Sequence, residues 1–472
     1  MSELHDLSAL EQAAAIRQGE ISPVELVRHY LERIDRLSDT VGAFVTVTGE
    51  TALEQAKAAE HAVAGAEHLP PLHGVPVAVK DLNLTAGVRT TLGSVCYADF
   101  VPPIDDNVVT LLRAAGTISL GKTNTPEFGL PCYTEPEVAP LARTPWDLDR
   151  SAGGSSGGAA AAVAAGLTPF AQGSDGGGSI RIPSSVCGLF GVKVTRGRVS
   201  NGPVNGEIAG LGWSGPIARS VADAAALLDA LAVPAVGDPY WAPPLPAGES
   251  FLAAAERAPG KLRIGRYTQS VVAGAEVHPD CLAAWESASA LLAELGHDVE
   301  DITLPVGGEL RPSFEVVWSV SAAGVPVDPD REAELRPLTR WLRERGRGCS
   351  ATEYTAALSA LQLAARKIIG ESAAYDAVLT PTLAQPPALV GALRDDSDPA
   401  ADFEAQTRYT PYTAVYNMTG QPAVSVPLFW TQGGLPIGVM LVGRPADEVT
   451  LLSLSAQLES ARPWQHRHPE MW

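Results

Sequence analysis

The chain has 472 residues, of which 46% are hydrophobic and 19% charged, and its formal net charge is −20. That length and apolar share are enough for one large α/β domain or two to three ordinary ones around a sizeable core. The acidic balance argues against direct binding to nucleic acid or an anionic membrane, and reads as an aid to solubility.

The five cysteines (Cys96, Cys132, Cys187, Cys281 and Cys349) are scattered, odd in number and without CxxC spacing. Reduced thiols in a cytoplasm are therefore expected, rather than a disulfide frame or a zinc site. The N-terminus MSELHDLSALEQ lacks a basic region followed by an apolar run, so no signal peptide is expected. The Ala/Gly-rich run after Ser155 is too small-residue and too Gly-broken to span a membrane.

Two helices are predicted to open the chain. Ser8 to Glu11 and Ser22 to Glu25 both read as capping boxes, the second with Pro23 at the first helical position. An Ala-rich helix is expected around Thr51–Ala64. The run Val75–Val79 is short, β-branched and bounded by Gly74 and Asp81, which predicts a buried strand ending at Lys80. A lysine leaving a buried strand can lose its proton through desolvation, although a tethered structural cation is the commoner case.

Residues Gly116 to Thr123 satisfy the pattern GxxxxGK[ST] of a phosphate-binding loop. Such a loop needs a strand before it and a helix after it. Here Val108–Ala115 reads as a helix and the supposed loop as a strand, so nucleotide binding is not expected.

The stretch from Ser151 to Thr195 holds two glycine-flanked serine sites, Ser155/Ser156 and Ser179. Between them, Gly157–Ala165 is predicted to form a helix with almost no side-chain bulk. A short strand at Pro169–Gln172, a glycine loop at Ser174–Ser179 and a helix opened by Pro183 should follow. Further on, Ser220–Leu231 reads as a helix, Val233–Gly248 as a Pro-rich linker, Lys261–Tyr267 and His297–Leu304 as strands, and His278–Leu295 as a helix. Residues 306–350 read as an irregular, Arg-rich cap. A strand from Asp376, an acidic loop at Asp395–Asp402, an aromatic stretch at Tyr409–Tyr416, and two strands at Ala423–Leu428 and Pro436–Val442 complete the chain.

A serine at the end of a glycine run sits where bare backbone N–H groups can surround a carbonyl, so acyl transfer is the chemistry to test. Gly153 to Gly157 also matches the GxSxG elbow of α/β-hydrolases. That class needs a downstream histidine, and His278, His297, His466 and His468 fall in an ordinary αβ layer or a polar tail. No lysine follows either serine by three positions, which removes the SxxK arrangement.

From Lys80 to Thr195 the chain closely resembles the amidase signature family. The resemblance rests on Gly74–Asp81, Gly121–Asn124, Gly153–Gly158, Gly173–Arg181, Cys187–Lys193, Gly215–Ser220, Asn417–Pro422 and Leu435–Gly438. It is dense over about 70–225 and thin over about 235–405. It implies an α/β/α sandwich with a large twisted mixed sheet covered by helices on both faces, in one domain over 1–472. The core would lie at about 60–225, a variable cap at about 235–405, and the returning C-terminal strands at 406–472.

The resemblance also implies a Ser–cis-Ser–Lys triad, with Ser179 as nucleophile, Ser155 as bridging serine and Lys80 as base. For that role the Lys80 pKa must fall to about 7–8, which desolvation can do. The backbone N–H groups of Gly176, Gly177, Gly178 and Ser179 would form the oxyanion hole, braced by an Asp175–Arg181 pair, and Ser156 would support Ser155. Gly176 stands where the family usually has Thr or Ile, and Val194 where Pro is usual.

Thr123–Gly129, Thr134–Pro136 and Pro145-Trp146 look most like bacterial amidases acting on aryl amides, cyclic nylon oligomers or urethanes. The glutamyl-tRNA amidotransferase subunit is the rival within the family, and a catalytically silent scaffold is the rival outside it. Candidate pocket walls are Phe128, Leu130, Cys132, Tyr133, Ile180, Trp318, Tyr409, Tyr412 and Tyr416, each of which also suits an ordinary core. The expected partner is a small-molecule amide or carbamate, with no nucleic acid or membrane and with room for a homodimer. The chemistry implied needs no metal or organic cofactor.

Overall fold

The computed structural model describes residues 3–63, 65, 68–307 and 310–472. Among them eleven strands form one mixed sheet: β1 (Phe44–Val47), β2 (Pro76–Lys80), β3 (Ile118–Thr123), β4 (Phe170–Asp175), β5 (Phe190–Lys193), β6 (Trp213–Ala218), β7 (Arg263–Arg266), β8 (Asp298–Asp301), β9 (Ala377–Pro381), β10 (Ala423–Trp430) and β11 (Pro436–Gly443). Their spatial order is β1-β3-β2-β4-β6-β5-β10-β11-β9-β7-β8. β2 runs parallel to both β3 and β4, whereas β4, β6, β5, β10, β11 and β9 pair antiparallel in turn.

Alternation along the central strands places apolar side chains on both faces. Val77 and Val79 of β2 join one core with the helices Val221–Leu231, Pro279–Glu294 and Glu448–Ala461, while Ala78 between them joins a second core with Pro23–Val41, Gly49–Val63 and Gly157–Ala164. Near the other end of the sheet, Met440 and Val442 pack with helices Leu310–Gly324, Ala351–Ser372 and Thr413–Thr419. The fold is α/β, with helices over both faces of the sheet.

Local signals set most elements. The Ser8 Oγ accepts from the Glu11 N–H, and the Glu11 carboxylate accepts from the Ser8 N–H, closing the predicted capping box. Ser22 caps its helix by accepting from the Val24 and Glu25 amides, but the return bond from Glu25 is not made; the Ser22 hydroxyl donates to Glu60 instead. Helix Asn107–Ala114 precedes β3, so the GxxxxGK[ST] match falls on a turn and a strand, the reverse of a phosphate loop. Lys122 is buried there 3.8 Å from Asp81.

Four expectations need correction. β4 runs on through Ser174 and Asp175, which pair with Ser214 and Trp213, so the glycine loop starts only at Gly176. The next helix opens at Arg181 rather than Pro183. Residues 306–350 are not irregular: they hold helices Leu310–Gly324 and Pro337–Gly348, which cross so closely that a Cβ on Gly346 would lie 2.1 Å from the Ser319 carbonyl oxygen. Pro312 and Pro337 fall in the first turns of these helices, where proline is tolerated. The acidic loop gives way at Pro399 to the helix Pro399–Tyr409, capped by Asp398. The Ala64 end of the third predicted helix lies outside the described residues, as do Met1, Ser2 and residues 308 and 309.

Candidate active site

β2 and β4 are neighbours, and both deliver chemistry at their C-terminal ends. β2 ends on Lys80, and β4 ends on Ser174 and Asp175 before the loop Gly176–Ile180 and the helix Arg181–Cys187. The third component is the turn before helix Gly157–Ala164, whose eight residues are all buried. A Cβ on Gly158 would lie 2.3 Å from the Asn124 backbone nitrogen, so only a helix this thin can bring Ser155 against β2. The Gly154–Ser155 peptide bond is cis.

Lys80 is fully buried, and its Nζ donates to Ser155 Oγ at 2.8 Å, to Ser174 Oγ at 3.0 Å and to the Ser174 carbonyl at 3.3 Å. All three acceptors are neutral. Burial therefore pulls the Lys80 pKa from its ordinary 10.5 down to about 7, with Asp175 only partly opposing the shift. The Lys80 main chain is fixed by a 3.0 Å bond from its N–H to the Gln172 side chain.

Ser156 ties the two serine loops together. Its N–H donates to the Ser179 carbonyl at 3.2 Å, its hydroxyl donates to the Ser174 carbonyl at 3.2 Å, and that hydroxyl also accepts from the Ser174 N–H. The Ser179 hydroxyl makes no hydrogen bond to a described residue, and Ser155 and Ser179 do not bond one another. Catalytic hydrogen bonds are often long in an unliganded enzyme and tighten around substrate.

The glycine loop is braced from beneath. Arg181 binds Asp175 through Nη2 at 2.8 Å and Nε at 3.0 Å, and both side chains are fully buried. Asn417, which the sequence marks only as part of a motif, completes the clamp. Its amide donates to the Asp175 carboxylate and carbonyl, each at 2.9 Å, and its Oδ1 accepts from Arg181 at 2.6 Å. Burial pushes the Asp175 pKa up, but the charge and hydrogen bonds of Arg181, the hydrogen bond from Asn417 and the Lys193 charge together outweigh it and hold the carboxyl well below its usual range. The Gly178 N–H donates to Asp175 at 2.8 Å, which takes it out of the expected oxyanion set. The amides of Gly176, Gly177 and Ser179 have no acceptor among the described residues.

A cavity of about 730 Å3, counting its open mouth, closes on Ser179 and Gly177. Leu130, Cys132 and Trp318 line it as the sequence suggests, together with Phe314, Phe403, Arg311 and Gln406, which the sequence does not single out. The other aromatic candidates lie elsewhere. Phe128 packs edge-on against Tyr97, Tyr133 donates to Asp402, and Tyr409 to the Pro386 carbonyl. Tyr412 donates to the Thr268 carbonyl, Tyr416 bonds Tyr267, and Ile180 is fully buried core. Each hydroxyl is spent on the protein interior rather than on a ligand.

Among the described residues no histidine hydrogen-bonds Ser155 or Ser179: His278 caps a helix and His297 bonds the Leu262 amide and Gln457. Glu3, His5 and His29 could bring ligand atoms within 4.8 Å of one another. The two imidazoles already bond each other at 2.9 Å, with the Arg33 charge beside them opposing a cation.

A buried amine bonded to one serine, a second serine facing an apolar cavity and a braced glycine loop meet at this site. The family model for amidases matches residues 25–452, and the chain belongs to the amidase signature family. It is similar to 6-aminohexanoate-cyclic-dimer hydrolase of Paenarthrobacter ureafaciens, at 35% identity over 490 residues covering 98% of this chain and 96% of that one. A solved structure of 6-aminohexanoate cyclic dimer hydrolase superposes with a TM-score of 0.90 at 33% identity over all of both chains. The glutamyl-tRNA(Gln) amidotransferase subunit of Moorella thermoacetica is 37% identical over 496 residues, covering 99% of each chain. The protein is thus an amidase-family hydrolase of amide C–N bonds.

Proposed function

We propose that this chain hydrolyses uncharged, largely apolar amides (aryl amides, cyclic nylon-type oligomers or carbamates) through an acyl-enzyme on Ser179. The observation that carries the reading is the 2.8 Å bond between a buried Lys80, drawn down to about 7, and Ser155. Neutral Lys80 accepts the Ser155 proton as Ser155 takes the proton of Ser179, and Ser179 Oγ attacks the carbonyl carbon. The amides of Gly176, Gly177 and Ser179 hold the oxyanion, each worth about 10²–10³ in rate. Protonated Lys80 then returns its proton through Ser155 to the leaving nitrogen, and the C–N bond breaks. Water enters by the same relay, cleaves the acyl ester and regenerates Ser179.

Kinetics on an anilide test the assignment. Ser179→Ala should lose about 10⁴-fold or more in kcat, and Lys80→Met a comparable factor, because members of such a unit fail together. Full hydrolysis by Ser179→Ala would contradict it.

The identity to an amidotransferase subunit favours a second reading, a glutaminase. Glutamine brings an ammonium and a carboxylate, yet Arg311 on the cavity wall is already paired with Glu404. Ammonia release from glutamine faster than aniline release from an anilide would favour that reading over ours.

A further inference from the structure

We propose that the cavity selects a flat aromatic acyl group, stacked on Trp318 and Phe314 beside the oxyanion loop. This rests on Ser179 being the nucleophile and names the substrate class of that site. Phe314 and Trp318 stand four residues apart on helix Leu310–Gly324, with ring centroids 5.3 Å apart and planes 19° apart. Both line the cavity and both are only half-buried.

The two rings lie directly on the glycine loop. A Cβ on Gly176 would come 3.3 Å from Trp318 Cη2, and one on Gly177 would come 3.6 Å from Phe314 Cζ. The missing side chain at 176 is thus the space that lets an indole edge reach the loop whose amides hold the oxyanion. A substituent attached to the scissile carbonyl meets this aromatic surface within an atom or two of the reacting carbon.

The substituent in question is the acyl group. The leaving nitrogen must face Ser155 to receive its proton, and neither Ser155 nor Lys80 lines the cavity. The remaining walls include Leu130, Pro131, Phe403 and Met418, and the one charged lining side chain is neutralised by Glu404. An aryl ring offers a flat π face to this aromatic surface, whereas a puckered ring of the same carbon count does not.

The test compares kcat/KM for benzamide and cyclohexanecarboxamide in the wild type and in Trp318→Ala, per Ser179 active site counted by fluorophosphonate labelling. The benzamide preference should fall by about tenfold in the variant, and the intrinsic reactivity difference cancels in that comparison. A preference unchanged within about twofold, with Ser179 labelled normally, overturns the stacking inference and leaves the nucleophile assignment standing. Failure of Ser179 to label overturns the assignment and the inference with it. Should Trp318→Ala misfold, Trp318→Leu, which keeps an apolar side chain without a ring face, decides the matter by the same ratio. A several-fold fall in the benzamide preference supports stacking, and a preference unchanged within about twofold overturns it.

Discussion

Lys80 and Ser155 meet through a 2.8 Å hydrogen bond inside the protein, 75 residues apart in sequence. The bond exists because a strand end and the turn before an all-small helix converge, and it places an amine among neutral oxygens only. The pKa of about 7 follows from that setting.

Activity should therefore rise with pH. The proposed base is neutral Lys80, so kcat/KM should increase about tenfold per pH unit below pH 7 and level off above it. Lys193 is also drawn to about 7 by burial, but it bonds the Val194 and Gln421 carbonyls and no serine. Lys193→Met should keep the profile of the folded enzyme. A pH–rate profile flat from pH 6 to 9 would count against Lys80.

Stability should carry the same signature. Folding lowers the Lys80 pKa from 10.5 to about 7, so between those values the unfolded chain binds more protons. The contribution of this group thus favours folding more as pH rises from about 7 to 10.5. Lys80→Met should gain on the wild type most at pH 6 and least near pH 10. Urea titrations showing a pH-independent difference would contradict the depressed pKa.

Asn417 should prove a positioning residue. Asn417→Ala leaves the buried Asp175 and Arg181 each short of a partner, which costs about 1–3 kcal/mol. With the loop loosened, kcat should fall about tenfold or more while KM for a small amide changes little. Melting and steady-state kinetics read the two effects separately, and an unchanged kcat would deny the clamp a role.

Gly158→Ala should cost about 3 kcal/mol. Its Cβ would meet the Asn124 nitrogen at 2.3 Å and the Ala43 carbonyl oxygen at 2.5 Å, and neither can retreat. Chemical denaturation checks this. A wild-type midpoint would mean that the thin helix is not what seats Ser155.

How much of this the sequence carries depends on how local each signal is. Val75–Val79 is bounded by Gly74 and Asp81, and β2 with Lys80 at its end lies where that pattern points. The Gly/Ala run likewise forms the expected helix. Ser174 and Asp175 have no strand propensity, and only their pairing with Trp213 and Ser214 shows that β4 continues. The cavity wall is less legible still. It is built from Leu310–Gly324 and Pro399–Tyr409, whose prolines and charges mask a helical face that exists only against tertiary partners. Tyr409, Tyr412 and Tyr416 look like substrate contacts by composition, yet each hydroxyl finds a partner inside the protein.

The most direct test of the central claim is labelling with a serine-directed fluorophosphonate followed by peptide mass spectrometry. The account predicts one adduct, on Ser179, forming more slowly in Lys80→Met and in Ser155→Ala. An adduct on Ser155 with Ser179 unmodified would contradict it.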